Sequence, residues 1–348
     1  MTSGPKDSSI VRFASGPGLW QGKEIQQRGT YIYELSRLDL EELEAALRNV
    51  VSQNLNPARL CREQFPLPQL GVAFQAIKRD IDNGIGFSLL RGLPIERYSL
   101  LEAATLLCGI GAHFGRQMPQ NSQGELLSSV RQVGPAEPPE KPARGYQSGL
   151  ALPFHSDSCD IVGLLCICDA KVGGLSSIAS SYAIHNAILG ERLDLLQSLY
   201  QPFWIDRHGE GSREDSPYYS TPVFMWHNGR LFSRYNPGYV YSAQRYRDTP
   251  RLTPQQTDAI EMFSWLCGSD QFRLDMKLRP GDLQLLNNNV IVHSRTAYQD
   301  YSEAARKRHL LRLWLFTFGI NDIPGPMRDR YHDMTSWEVN SHLPKYFG

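Results

Sequence analysis

From about residue 125 onward, the chain is built of short apolar runs separated by turn residues. Several of these runs are almost continuously apolar, as is typical of β-strands that are covered on both faces. The Gly, Pro, Asn and Asp residues between them fit tight connections. The pattern predicts an antiparallel sandwich or barrel, with strands in the segments LLSSV, IVGLLCICDA, LSSIASSY, PVFMWHNGRLFSRY, GDLQLLNNNVIVHSR and HLLRLWLFTF.

Helical periodicity marks two other parts of the chain. Residues 1–120 are predicted to form a helical part that packs on the sheets, with one strand at 85–94. A helical insert is predicted at 180–275, with a polar loop at 207–219 that is long enough to be a lid. We therefore expect one domain over residues 1–348, mainly β with flanking helices. The predicted helices are 38–56, 70–84, 99–115, 182–200 and 253–267.

Composition and charge limit the partners of the chain. The 36 Lys and Arg residues balance the 36 Asp and Glu residues, so no charge pattern typical of nucleic-acid or anionic-membrane binding is present. No stretch approaches the roughly 18 apolar residues of a membrane span, and the N-terminus does not resemble a secretory signal. The six cysteines show no CxxC pair and are expected to be reduced. We therefore expect a cytoplasmic protein that acts on a small molecule, and we leave open whether it forms a homo-oligomer.

The segment LPFHSDSCD places His155 and Asp157 one residue apart. In a strand, residues two apart point to the same side, so these side chains can converge on one ion. An imidazole and a carboxylate suit a divalent transition metal. The alternative is an ordinary polar patch beside a buried strand, and a third ligand is needed to favour the metal.

His293, which follows the apolar run in NNNVIVH, is the candidate third ligand. Together with His155 and Asp157 it would complete a two-histidine, one-carboxylate facial triad, which leaves three positions open on octahedral iron. Downstream, Arg308 and Arg312 fall on one strand face with Leu310 and Trp314. Buried guanidinium groups are costly unless each meets an anion, and their planar fork suits a carboxylate.

The order and spacing of four segments resemble the TauD/TfdA (taurine dioxygenase) family of Fe(II)/2-oxoglutarate-dependent oxygenases, which are related to the clavaminate synthase-like enzymes. The resemblance spans roughly residues 85–318. It implies a double-stranded β-helix (jelly roll) core with a helical N-terminal segment and a helical and loop insert. The segments are GFSLLRGLP, LPFHSDSCDIVGLLCICDAKVGGLSS, RPGDLQLLNNNVIVHSRTAY and RHLLRLWL.

The resemblance also implies roles for single residues. His155, Asp157 and His293 would bind Fe(II), and Arg308 would pair with the far carboxylate of 2-oxoglutarate. Ser176, after the Gly-Gly pair, is the candidate hydroxyl partner of that carboxylate. Arg312 matches a position that meets an anionic group of the substrate in several relatives.

Other positions follow less directly from the family pattern. The asparagines of NNNVIVH replace the Asp and Arg of a common Asp-Asn-Arg motif, so the resemblance gives them no role. Arg295 is predicted to brace the turn behind His293. The loop at 207–219 and the segment 115–125 are candidates for closing over the substrate. Within residues 115–125, we expect Gln117, Gln120 and Asn121 to form hydrogen bonds with the substrate.

The implied reaction uses O2 and converts 2-oxoglutarate to succinate and CO2 while an unactivated C–H bond is oxidised, most simply by hydroxylation. The substrate is expected to be a small anionic or amino-acid-like metabolite. Desaturation, cyclisation or epimerisation would use the same iron site, and a protein hydroxylase would use it on a peptide. Two other classes stay open: a jelly-roll sensor that binds metal and 2-oxoglutarate without turnover, and a cupin-like enzyme with another metal.

Overall fold

Two β-sheets of unequal size form the centre of the protein. This computed structural model describes residues 11–121, 123–132, 149–208, 216–317, 322–328 and 342–344. In chain order the strands are β1 (Ile32–Glu34), β2 (Phe87–Arg91), β3 (Arg116–Met118), β4 (Leu127–Val130), β5 (Leu152–His155), β6 (Ile161–Cys168), β7 (Val172–Gly173), β8 (Ser176–Ser180), β9 (Phe203–Asp206), β10 (Tyr218–Thr221), β11 (Phe224–His227), β12 (Arg230–Ser233), β13 (Leu274–Met276), β14 (Leu283–Asn287), β15 (Ile291–Arg295), β16 (Tyr298–Gln299) and β17 (His309–Phe316).

The helices flank these sheets. They are α1 (Gly22–Arg28), α2 (Arg37–Ser52), α3 (Leu70–Asn83), α4 (Leu100–Gly111), α5 (Ser181–Glu191), α6 (Leu193–Leu199), α7 (Pro237–Ala243) and α8 (Pro254–Gly268). Within the part of the chain that the structure describes, no helix is long and apolar enough to cross a membrane.

The larger sheet has the order β1-β2-β14-β6-β17-β3, and β4 also pairs with β17. The smaller sheet has the order β13-β8-β15-β5. Apart from the parallel pair β1 and β2, the strands of both sheets pair antiparallel. The two sheets face each other as in a jelly roll, which is the predicted double-stranded β-helix, and neither closes into a barrel.

Strand β17 shows how the period-two pattern separates two cores. Leu311, Leu313 and Leu315 point outward into a cluster with the N-terminal helices. The alternate residues, Leu310 and Trp314, point inward between the sheets. Because both faces of this strand are buried, its sequence is almost continuously apolar, as the sequence analysis predicted.

Local sequence signals determine where the helices on the outer face of the larger sheet begin. Helices α2 and α4 both begin with a capping box, made by Ser36 with Asp39 and by Ser99 with Glu102. Near its end, α4 approaches the sheet closely, since a Cβ atom on Gly111 would lie 2.5 Å from a methyl carbon of Leu313. A side chain at this position would therefore require Leu313 to move where the helix crosses β17.

The structure differs from the predicted elements in the N-terminal part and in one helix of the insert. The N-terminal part also contributes β1 and β3 to the larger sheet, and neither strand was predicted. The helix predicted at 182–200 is two helices, because Arg192 leaves the helical conformation with φ −144°. Of the predicted lid loop, residues 209–215 lie outside the described residues.

We expect Leu313→Ala to lower the free energy of unfolding by about 2 to 5 kcal/mol, because Leu313 is fully buried between β17 and α4. Leu101→Ala on α4 is the control, since Leu101 is 43% exposed and its truncation should cost less than about 0.5 kcal/mol. Urea denaturation of both variants measures the difference. Equal midpoints would show that the outer face of the larger sheet does not carry the stability assigned to it.

Candidate metal centre and cofactor site

Two histidines face each other across the smaller sheet. His155 ends β5, and it is the cross-strand partner of His293 on β15. Their ring centroids lie 4.4 Å apart. Two residues 138 positions apart in sequence are thus brought together by a single strand pairing, on the inner side of the smaller sheet.

Asp157 reaches the same place from a loop. Strand β5 ends at His155, so the strand geometry that the sequence analysis assumed for Asp157 is wrong. The loop is held by its backbone: the Asp157 N–H donates to Oδ1 of Asn288 at 2.9 Å, and Arg234 donates to the Asp157 carbonyl at 2.7 Å. The asparagine that had no predicted role therefore positions the carboxylate.

One nitrogen or oxygen atom from each of His155, Asp157 and His293 lies within 4.8 Å of the others, so the three side chains can hold a metal ion. Nδ1 of His155 is 2.8 Å from the Pro153 carbonyl, which leaves Nε2 for a ligand. Oδ2 of Asp157 and Nε2 of His293 are buried and have no hydrogen-bond partner among the described residues. A divalent cation fits this set of two imidazoles and one carboxylate.

The charge states of these groups also fit a cation. Burial acts to raise the pKa of Asp157, but Arg312 and the two imidazoles outweigh it, so the pKa lies below its ordinary value. Burial and the neighbouring His155 lower the pKa of His293 to about 3. Near neutral pH the centre therefore presents one carboxylate and a neutral His293 imidazole, which are the ligand forms that metals bind.

Arg312 on β17 connects the centre to the larger sheet. Its Nη1 donates to Oδ1 of Asp157 at 3.1 Å, and its Nε donates to Oε1 of Gln120 at 2.7 Å. The amide of Gln120 donates in turn to the carbonyls of Leu126 and Arg312. Gln120 thus fixes the guanidinium that fixes the carboxylate.

This arrangement differs from the predicted contacts of the segment 115–125. Gln120 is 1% exposed and does not line the cavity at the centre; both ends of its amide are bonded within the protein. Gln117 on β3 lies near the Pro57 carbonyl, and Asn121 bonds to Glu125. The structure places none of the three side chains at the cavity wall.

A cavity of about 310 Å³, here called the central cavity, opens beside the three ligand candidates. Its apolar wall includes Leu164, Leu278, Leu310 and Trp314. Asp157 is the one carboxylate among the described residues that line it. The other charged or imidazole side chains of the wall are His155, His208, His293, Arg295, Arg308 and Arg312.

Arg308 and Ser176 line the central cavity together, as expected for a co-substrate site. Arg308 is 5% exposed, and its Nη1 has no hydrogen-bond partner among the described residues. Gly174, with φ +69°, lies against the Arg308 side chain, where a Cβ atom would be 3.2 Å from Nε. The Gly-Gly pair of the sequence therefore makes room for this guanidinium. The Ser176 hydroxyl donates to Gln284 at 2.8 Å.

The other side of the cavity wall was predicted only in part: His208 lies in the predicted lid loop at 207–219, whereas Tyr239 and Asn236 were not predicted. His208 and Tyr239 stack with ring centroids 4.6 Å apart, and Asn236 lies beside them in the wall. The buried carboxylate of Asp206 holds this wall, since it accepts hydrogen bonds from the backbone N–H of His208 at 2.9 Å and from the Ser242 hydroxyl of α7. No local motif marks these residues, because their proximity depends on how β9 and α7 pack.

Comparison with known proteins assigns the family. The family described as "Taurine catabolism dioxygenase TauD, TfdA family" matches residues 52–314, which is more than half of the chain. The chain belongs to the TauD/TfdA family. The predicted resemblance is therefore confirmed over a longer stretch than the four segments that suggested it.

Two curated relatives match most of the chain. FR-33289 synthase of Streptomyces rubellomurinus (strain ATCC 31215) is 33% identical over 310 residues, which cover 86% of this chain and 89% of that protein. Taurine hydroxylase-like protein SAT17 of Stachybotrys chartarum (strain CBS 109288 / IBT 7711) is 30% identical over 307 residues, covering 84% and 77%.

Solved structures share the fold at lower identity. Asparagine oxygenase in complex with Fe(II), 2S,3S-3-hydroxyasparagine and succinate has a TM-score of 0.64 and 19% identity, with 82% of this chain and 94% of that chain covered. Non-heme iron oxygenase OrfP in complex with Fe and alpha-ketoglutaric acid has a TM-score of 0.59 and 14% identity, with 82% and 94% covered. These likenesses confirm the predicted jelly-roll fold.

As a member of the TauD/TfdA family, the protein is a non-haem Fe(II)/2-oxoglutarate-dependent dioxygenase. Its cofactors are Fe(II) and 2-oxoglutarate, with O2 as the oxidant. The donor set of His155, Asp157 and His293 fits the iron, and the unpartnered guanidinium nitrogen of Arg308 fits the anionic co-substrate. The predictions of enzyme class and cofactors are confirmed.

We expect Gln120→Leu to weaken Fe(II) binding about tenfold, since partners behind the ligands typically contribute 10- to 100-fold to metal affinity. The change leaves Nε of Arg312 without its acceptor, so the guanidinium no longer fixes Asp157. Anaerobic equilibrium dialysis against Fe(II) measures the affinity. Gln117→Leu is the control and should bind iron as the unaltered protein does. Equal affinities of the two variants would contradict the positioning role of Gln120.

Proposed function

We propose that this dioxygenase hydroxylates an unactivated C–H bond of a small, anionic, amino-acid-like metabolite. The proposal rests on one observation above all: the three ligand candidates face a cavity whose other buried charges are guanidinium groups. In this proposal His155, Asp157 and His293 hold Fe(II). When bound there, Fe(II) would supply the chemistry by which O2 oxidises such a bond: one oxygen atom goes to the substrate and the other to succinate, which forms from 2-oxoglutarate with release of CO2.

The protein residues orient the two small molecules and keep water away. Arg308 pairs with the far carboxylate of 2-oxoglutarate, because its Nη1 is buried and lacks an acceptor among the described residues. Ser176 lies beside it in the wall, and its hydroxyl would turn from Gln284 to the carboxylate when 2-oxoglutarate binds. The apolar side chains of Leu164, Leu278 and Leu310 exclude water from the same space, which strengthens the ionic contact.

An anionic substrate agrees with the charge of the central cavity. Three guanidinium groups line it, and Asp157 is the one carboxylate among its described lining residues. Arg312 lies at the metal centre, where it donates to Asp157. We propose that it also binds the anionic group of the substrate. A carboxylate, sulfonate or similar anion would meet the planar donors of this guanidinium.

The amino-acid-like character is supported by two proteins of the same fold. The asparagine oxygenase complex contains 2S,3S-3-hydroxyasparagine, and an OrfP complex contains (3S)-hydroxy-L-Arg. For this chain a cationic side chain like that of arginine is disfavoured, because the described cavity wall offers no carboxylate beyond the iron-binding candidate Asp157. A substrate with an amino-acid carboxylate and a neutral or anionic remainder fits best.

We also propose a cytoplasmic location. All six cysteines are free, and Cys108, Cys159, Cys166 and Cys267 are buried. Free thiols in this number are typical of a reducing compartment.

The reaction is tested by O2-dependent succinate formation from 2-oxoglutarate with a panel of amino acids, amino-sulfonates and small carboxylates. We expect the unaltered protein to form succinate in step with an oxygenated product for an anionic member of the panel. His155→Ala and Asp157→Ala should lose Fe(II) binding and turnover while remaining folded, because each removes a ligand. His227→Ala, on the β11–β12 hairpin, is the control.

Two outcomes would contradict the proposal. Full activity in Asp157→Ala would exclude this carboxylate as an iron ligand. Binding of 2-oxoglutarate without succinate formation, with every class of the panel, would favour a sensor over an enzyme acting on such metabolites.

We expect Arg308→Gln to raise the KM for 2-oxoglutarate at least about tenfold, since removal of one partner of a buried charge pair costs several kcal/mol. The substrate KM should change much less. Arg306→Gln is the matched control, because Arg306 is exposed and stacks on Tyr301, five residues earlier in the chain. If Arg308→Gln kept the KM for 2-oxoglutarate and Arg312→Gln raised it, the two arginine roles would be reversed.

We expect Asp206→Asn to raise the substrate KM several-fold and to leave the KM for 2-oxoglutarate unchanged. The substitution removes the charge that holds the wall of His208 and Tyr239, and the Arg245 guanidinium 3.0 Å away loses its partner. Steady-state kinetics with each substrate varied in turn separates the two effects. Asp248→Asn, at an exposed site of the same insert, is the control. A raised KM for 2-oxoglutarate alone would place this wall on the co-substrate side.

A further inference from the structure

Three buried polar atoms beside the metal centre have no hydrogen-bond partner among the described residues: Oδ2 of Asp157, Nε2 of His293 and Nε1 of Trp314. The first two can bind a cation, which accounts for them. The third cannot, because the indole nitrogen carries a hydrogen and only donates. A buried donor without an acceptor is costly, so this N–H needs an explanation of its own.

Trp314 lies on the inward face of β17, two residues after Arg312. It is 2% exposed and lines the central cavity. The guanidinium carbon of Arg312 lies 4.9 Å from the centroid of the Trp314 ring, and Nη1 of the same guanidinium donates to Oδ1 of Asp157 at 3.1 Å. The indole therefore packs against the side chain that already holds the Asp157 carboxylate.

The electrostatics of Asp157 identify its carboxylate as an acceptor for the indole N–H. Burial acts to raise the pKa of Asp157, whereas Arg312 and the imidazoles of His293 and His155 lower it. Trp314 also lowers the pKa of Asp157, as a hydrogen-bond donor to the carboxylate. A donor that faces a carboxylate favours its charged form, which is the form that binds a metal ion.

We propose that Trp314 is a positioning residue of the iron centre, whose indole N–H donates to the Asp157 carboxylate when Fe(II) is bound. The inference rests on the proposed function, in which Asp157 is an iron ligand. In the structure Nε1 lies beside the carboxylate without completing the bond, and a slight turn of the carboxylate would complete it.

The second donor adds something that Arg312 alone does not supply. One hydrogen bond at Oδ1 holds a single oxygen of the carboxylate, whereas two donors fix the plane of the group and so the direction of Oδ2. Both donors lie on β17 of the larger sheet, while the loop that carries Asp157 follows β5 of the smaller sheet. The larger sheet would thus orient a ligand that the smaller sheet carries.

Trp314→Phe tests the role of the N–H, because phenylalanine keeps an aromatic ring in the cavity wall and has no donor. We expect the Kd for Fe(II), measured by anaerobic equilibrium dialysis, to rise about tenfold, as for other partners behind metal ligands. Trp265→Phe on α8 is the matched control, since Trp265 is 68% exposed. Its Kd for Fe(II) should stay within about twofold of that of the unaltered protein.

The melting temperature separates positioning from packing. A ligand that binds the folded protein raises its melting temperature by an amount that depends on the affinity. If Trp314 positions Asp157, the rise caused by a fixed concentration of Fe(II) should be smaller in Trp314→Phe than in the unaltered protein. A role in packing alone would lower the melting temperature equally with and without Fe(II), and the rise would be unchanged.

A second variant keeps the test decisive if Trp314→Phe does not fold. Site-specific incorporation of benzothienylalanine in place of Trp314 replaces the N–H by sulfur and keeps the shape of both rings. We expect the Kd of this variant for Fe(II) to rise about tenfold as well, because only the donor is lost.

Three results would overturn the inference. One is a Kd for Fe(II) in the benzothienylalanine variant within about twofold of that of the unaltered protein, since the N–H would then not be needed. Another is an unchanged Fe(II) affinity with a weaker affinity for 2-oxoglutarate, which would place the N–H at the co-substrate. The third is no Fe(II) binding by the unaltered protein, which would overturn the proposed function as well.

Discussion

The pairing of β5 with β15 is the constraint on which the centre depends. It sets His155 opposite His293 with their rings 4.4 Å apart, and it does so on the inner side of the smaller sheet. Burial holds His293 neutral, so its imidazole can offer a lone pair to a cation. A cation between the two imidazoles and Asp157 would be bound by all three side chains. Asp157 completes the centre from the loop after β5, where Asn288 holds its backbone, and Arg312 reaches it from β17 of the larger sheet.

The arginines of the inner face have distinct electrostatic tasks. Arg312 stabilises the carboxylate of Asp157 and is itself held by Gln120. Arg308 leaves a guanidinium nitrogen without a partner toward the cavity. Buried guanidinium groups on a strand would be a liability in a protein that bound no anion. In a dioxygenase that uses 2-oxoglutarate, we propose that these guanidinium groups bind the dicarboxylate and that the apolar side chains of the central cavity exclude water.

Most of what could be predicted from the sequence came from the period-two alternation of side chains along the strands. It identified β17 and the inward direction of Arg308 and Arg312, and the strand before His293 was visible in the same way. It failed for Asp157, because β5 ends at His155 and the carboxylate returns through a loop. The alternation of residues within a strand says nothing about where a strand stops when a long-range contact, here with Asn288, bends the chain.

Contacts between residues distant in the sequence account for the parts of the site that the sequence did not predict. Gln120 was predicted to hydrogen-bond the substrate, yet its partner Arg312 lies 192 residues away and takes up both ends of the amide. The wall of His208 and Tyr239 depends on Asp206, which is buried by α7 packing on β9. No local pattern encodes these contacts, whereas helices α2 and α4, which begin with local capping boxes, were predicted from their periodicity.

The most direct test of the account is an anaerobic optical titration of the Fe(II)-loaded protein with 2-oxoglutarate. Chelation of the co-substrate by iron at the His155, Asp157 and His293 centre should produce a weak visible charge-transfer band that saturates with one equivalent of 2-oxoglutarate. The band should be absent when His293→Ala protein is titrated in the same way. A protein that holds iron at this centre and yet shows no band at any concentration of 2-oxoglutarate would contradict the account.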